Sequence, residues 1–221
     1  MSKSLNQDVD EAADRHLHRL VLFSDAVFAI AITLLAIEIH PPEHWHGVAD
    51  LFGQMGHKLW AYAVSFAVIG VYWISHRRIF ARLRGANGVL DVLNLIVLGL
   101  VALLPLTTEL LWEHASPEAA FVYVGPVAAI GVAMSVVWGY AAFAGELAGR
   151  VHRGEALFTL ARTAVAPGLM CGLILFSLNH IWGLIPLALA IAAFVAGGRF
   201  MRRRAAVGGL ETEVQAEEAA A

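Results

Sequence analysis

Charge is scarce in this sequence. Only 15% of its 221 residues are Asp, Glu, Lys or Arg, against 59% hydrophobic, and the mean hydropathy is +0.68. Soluble domains carry about 25% charged residues, so this balance lies far outside a soluble domain and points to a polytopic membrane protein, with no nucleic-acid partner expected. There is a single cysteine, Cys171, inside an apolar run. It excludes an intrachain disulfide, and the thiol is expected to pack as a small apolar group. No nucleophile–base pair, phosphate loop or standard metal-ligand spacing is present, so no catalytic residue, cofactor or metal is expected. A basic leader is missing as well: residues 1–18 carry Asp8, Asp10, Glu11 and Asp14. That argues against a signal peptide, and the first apolar run is expected to stay as a membrane helix.

Long apolar runs fill the space that charge leaves. About 20 apolar residues cross a bilayer as a helix. Six such runs are predicted, at about 19–39, 52–76, 88–112, 119–146, 157–178 and 182–200. The expected fold is an all-α membrane protein with six transmembrane helices in one compact unit, without internal duplication. Pro41 and Pro42 end the first helix, and Pro105 and Pro126 are expected to kink the third and fourth. Residues 1–18 read as a polar segment, mobile or loosely helical, 19–200 as the membrane domain, and 201–221 as a disordered tail.

The charges are segregated. Lys3, Arg15, Arg19, Arg77, Arg78, Arg82, Arg84, Arg150, Arg153, Arg162, Arg199, Arg202, Arg203 and Arg204 fall on one side of this topology, and only Lys58 on the other. By the positive-inside rule both termini are expected in the cytoplasm. Glu38, Glu43, Asp50, Glu109, Glu113 and Glu118 gather at the outer helix ends, where an acidic vestibule concentrates cations or merely solvates loops. The outer histidines of HPPEHWH match no zinc pattern and read as interfacial residues.

The organising stretch is RLVLFSDAVFAIAITLLAIE, from Arg19 to Glu38. Ser24 and Asp25 sit near its start, and a carboxylate at this depth costs roughly 2.5–3.5 kcal/mol on insertion scales. A plain anchor has no use for it. At 100° per residue Ile30, Leu34 and Ile37 form one stripe with Thr33 beside it, while Asp25 points nearly away from Ile30. A ring of such side chains around an axis makes a dewetted constriction that gates ions. One copy cannot enclose a pore, so this reading needs a cyclic homo-oligomer. Periodicity alone favours a lipid-facing or packed surface for the same stripe, and the Ser24–Asp25 pair is what draws the reading toward a pore.

Arg19-Leu-Val-Leu-Phe23-Ser24-Asp25 fits R-x-x-x-F-S-D, and in this the chain resembles the transmembrane protein 175 family, the endosomal and lysosomal potassium channels and their bacterial homologues. Trp73 and His76, as W-x-x-H, resemble the second-helix signature of that family. The resemblance implies a bacterial single-repeat member in the inner membrane: a homotetramer that conducts potassium through a pore lined by the first helix. There is no glycine-rich filter loop of the TVGYG kind. The narrowest ring falls on Ile30, with further rings at Leu34 and Ile37, and Thr33 stands at a position linked to selectivity. Animal relatives also pass protons.

Asp25 needs a partner. His76, Arg77 and Asn94 lie at a matching depth, and a buried network of Ser24, Asp25, His76 and Asn94 is expected to hold the lining helix in place. The reading from these residues is therefore a potassium-permeable channel in lipid. The alternative is a proton-coupled secondary transporter or membrane enzyme using Asp25, His76 and Glu109.

Overall fold

The structure is a computed structural model. It describes residues 2–114, 116–145, 147–149, 159 and 163, with side chains from residue 13 onward. These fall in one compact unit, Met1–Cys171, while the remaining residues, Gly172–Ala221, lie outside the described ones. Helix α1 spans Ser2–Ile37, α2 Val48–Phe80, α3 Gly88–Ala102, α4 Leu104–His114 and α5 Pro117–Gly139, and a π-helical turn follows at Tyr140–Ala144. No strand forms among the described residues; an isolated β-bridge joins Leu83 and Ala148.

This corrects the six-helix expectation. Among the described residues four stretches are long and apolar enough to cross a membrane: Ala13–Ile37, Val48–Phe80, Gly88–His114 and Pro117–Ala144. The spans predicted at 157–178 and 182–200, and the tail 201–221, lie outside the described residues. An apolar run satisfies the length requirement for a span, but hydropathy alone does not establish a packed helix. Among the described residues the architecture is all-α with four candidate spans.

Local chemistry sets the boundaries. α1 starts at Ser2 because the polar stretch before Arg19 contains neither Gly nor Pro and is rich in helix formers, so the helix continues out of its apolar part. It stops ahead of Pro41. Gly47, at φ 94°, turns the chain into α2 in a conformation costly for any residue with a Cβ. Asp50 ties that turn down, accepting from the His46 amide at 2.8 Å and from Gln54 at 3.0 Å. The predicted third helix is two pieces. Pro105 has no N–H for the Val101 carbonyl, and Leu103 closes α3 before α4 begins. α5 runs through Pro126 as one element, capped by Ser116, whose hydroxyl accepts from the Ala119 amide at 3.2 Å.

α1 packs on α2 and α3 and touches α4, while α5 packs on α3 and α4. The stripe Tyr123, Val127, Ile130, Met134 and Val137 of α5 is fully buried at helical spacing against these partners. A buried hydroxyl ladder crosses the same interface. Thr108 and Ser65 lie 2.8 Å apart, and Ser65 and Tyr123 3.0 Å. In a hydrocarbon surrounding, association rests on packing and such bonds rather than on water exclusion.

Candidate functional site

α1 has two unlike faces. Ser24, Phe28, Ala31 and Leu35 are all at most 1% exposed and lie within about 60° of one another around the helix. This face carries the packing. On the opposite side Ile30 is 57%, Leu34 37% and Ile37 65% exposed, with Phe23 and Arg19 continuing the surface toward the basic end. Thr33 stands beside them, and its hydroxyl donates to the Ile30 carbonyl at 2.8 Å. The hydrogen is thus spent within the helix, leaving lone pairs outward.

On the packed face Ser24, Asn94 and His76 form a chain of hydrogen bonds, each residue fully buried. Ser24 donates to the Leu20 carbonyl at 2.8 Å. Its oxygen therefore accepts from Asn94 Nδ2, at 2.9 Å. That fixes the amide orientation: Asn94 Oδ1 faces His76 Nε2 at 2.8 Å, and Nε2 must carry the proton. The imidazole is stacked on Phe80, ring centres 4.1 Å apart, and tilted against Phe28 at 5.5 Å. His76 Nδ1 is buried with no hydrogen-bond partner among the described residues, which suits the lone pair of a neutral ring. One residue from each of α1, α2 and α3 is thereby locked together.

Asp25 does not join this chain. It accepts from Trp73 Nε1 at 2.8 Å, and the Arg77 guanidinium lies 5.0 Å above the Trp73 ring. One helical position, 100°, separates it from Ser24, enough to send the two side chains to different partners. The phenylalanines around His76 were missed in the sequence although Phe28 follows Ser24, and Phe80 follows His76, by four residues, the spacing of helix neighbours. Trp73→Phe keeps most of the ring and removes one bond to a carboxylate. Such bonds contribute about 1.5–3 kcal/mol, so a loss of about 2 kcal/mol is expected in thermal unfolding of the purified protein.

Glu109 lies fifteen residues beyond Asn94 along the α3–α4 span, about 20 Å at 1.5 Å per residue. Asp25, His76 and Glu109 therefore do not converge, as a transporter or enzyme site built on them requires. No group of three or more His, Cys, Asp or Glu residues suited to a metal occurs among the described residues.

The profile described as endosomal/lysosomal potassium channel TMEM175 matches residues 19–105, which hold α1 from Arg19 onward, all of α2 and α3, and the chain of buried bonds. A potassium channel of Streptomyces collinus is 39% identical over 141 residues, covering 58% of this chain and 66% of that one. A potassium channel of Chamaesiphon minutus is 33% identical over 189 residues, covering 80% of this chain and 92% of the relative. The crystal structure of a lysosomal potassium-selective channel TMEM175 homolog from Chamaesiphon minutus superposes with TM-score 0.61 at 30% identity, over 86% of this chain and 98% of that one. With four apolar spans among the described residues and a relative matched over nearly its full length, this chain is a multi-pass membrane protein that belongs to the TMEM175 family of ion channels.

Proposed function

We propose that this protein is a potassium-permeable channel of the bacterial inner membrane, a homotetramer whose α1 helices line a central pore narrowed at Ile30, Leu34 and Ile37. The observation that carries the reading is the division of α1. Ser24, Phe28, Ala31 and Leu35 carry the packing on one face, and the opposite face is an exposed aliphatic surface with no packing partner among the described residues. Four copies of that face around an axis make a hydrophobic constriction without any filter loop. Thr33 presents lone pairs beside Ile30, a position suited to replacing water around a cation. The names of the relatives, potassium channels in two bacteria, support the permeant ion. The arginines just before the apolar part of α1 and at the end of α2 support a cytoplasmic side for both, by the positive-inside rule.

Purified protein in liposomes with a potassium gradient tests this. Uptake that follows the gradient at both polarities, needs no co-substrate and is absent with N-methylglucamine is the expected result. Proton flux is read in the same vesicles. Silence at both polarities, with the tetramer confirmed by native mass spectrometry, would overturn the channel reading.

A further inference from the structure

Followed toward its basic end, the exposed stripe of α1 ends in charge. Phe23 lies about two turns and Arg19 about three turns from Ile30, each within about 20° of it around the helix. Both are exposed. Beside them a cavity of about 640 Å³ opens against the start of α3, lined by Arg15, His16, Arg19, Leu20, Phe23 and Asp91. The other charges of that cavity are turned elsewhere. Asp91 holds one oxygen 3.0 Å from His16 Nε2, and its second oxygen is buried without a hydrogen-bond partner. Arg15 has an interaction of its own. Arg19 forms no hydrogen bond or ion pair among the described residues.

α3 grips α1 through Ser24, about 140° around the helix from Arg19. Asp91 therefore reaches the cavity from the packed side, and Arg19 from the stripe. At the far end of the stripe, about 27 Å away at 1.5 Å per residue, α1 stops at Ile37 and Glu38 follows. The last carbonyls of the helix and that carboxylate carry negative charge there. The positive end of the helix dipole lies at Ser2, about 25 Å beyond Arg19, too far to charge the stripe. The inner end of the stripe owes its charge to Arg19. We propose that Arg19 sets the direction of easy conduction: four copies ring the basic mouth of the pore and slow potassium entering from that side, so that current runs more readily from the Glu38 end to the Arg19 end.

This inference rests on the pore reading of α1. Four like charges around one axis raise the potential that a cation meets, and low-dielectric walls keep their field within the mouth. Salt screens it, because the Debye length falls from about 10 Å at about 0.1 M to about 3 Å at about 1 M. An arginine ring on the axis therefore gives rectification that fades with salt. An arginine turned toward lipid gives none.

Current is recorded in excised patches holding the full chain under symmetric potassium chloride, with the side of the amino terminus fixed by an epitope tag. In about 0.1 M salt, current entering at the Glu38 end is expected to exceed the reverse current about twofold or more at equal voltage, and the two are expected to converge in about 1 M. Arg19→Gln is expected to remove about half or more of that excess, and Arg19→Lys, which keeps the charge, to retain it. Arg19→Cys is expected to regain rectification when a cationic thiosulfonate reaches it from the basic side, and to lose it further with an anionic one. The parent chain, whose single cysteine is Cys171, is the reagent control. A structural role for Arg19 moves the unfolding midpoint but not the response to salt or to reagent charge. Potassium current whose ratio ignores salt and the charge at position 19, or rectifies in the opposite sense, would overturn this inference and leave the channel standing. Silent patches, with the protein confirmed in the membrane, overturn the channel reading and this inference with it.

Discussion

Asn94→Leu is expected to destabilise the purified protein by about 3 kcal/mol, although leucine keeps the branched outline of asparagine. The estimate follows from what is left behind. Asn94 bonds to Ser24 and His76 in a fully buried position. Interhelical bonds in membranes contribute about 0.6–2 kcal/mol each, and an orphaned buried group adds about 1–3. Replacing the middle member orphans the buried His76 N–H and takes one bond from Ser24, which keeps its bond to Leu20. Ser24→Ala, which leaves one amide hydrogen unpaired while Asn94 keeps His76, is expected to cost about 1–2 kcal/mol. The measurement is thermal unfolding in detergent, followed by tryptophan fluorescence. If Asn94→Leu were as stable as the parent, packing alone would hold α1 against α2 and α3, and the buried chain would contribute nothing.

How far such a chain can be read from sequence is clear from its members. Ser24, Asp25, His76 and Asn94 stand out because polar side chains at membrane depth are costly, and the helix ends place all four at one level. Depth does not resolve angle. Ser24 and Asp25 differ by a single residue, yet Ser24 turns to Asn94 and Asp25 to Trp73. That choice depends on how α2 and α3 are rotated against α1, information that hydropathy does not carry. The break at Leu103 lies where Pro105 was expected only to kink the helix, and the count of spans, four among the described residues against six expected, was not legible. Apolar length is a property of a segment, and a packed helix is a property of a segment and its neighbours. The cavity beside Arg19 escaped the sequence for the same reason, since Asp91 comes from another helix.

The largest functional effect is expected from Ile30→Asn. If Ile30 forms the narrowest apolar ring, a polar side chain there lets water into the constriction, and four copies change at once. Lowering the barrier by only about 1.4 kcal/mol raises flux tenfold, so potassium flux in liposomes is expected to rise about tenfold or more. The structure provides the control that makes this informative. Ile30 is 57% exposed and lies across the helix from the packed face, so the substitution is expected to leave protomer stability within about 0.5 kcal/mol of the parent. Leu35, fully buried five residues away, is on the other face, and Leu35→Asn is expected to cost several times more because it buries an amide without a partner. A stable Ile30→Asn tetramer with raised flux ties the pore to the exposed stripe. An equally stable one with unchanged flux means that Ile30 faces lipid, and the conducting path must then be sought on another face of the bundle.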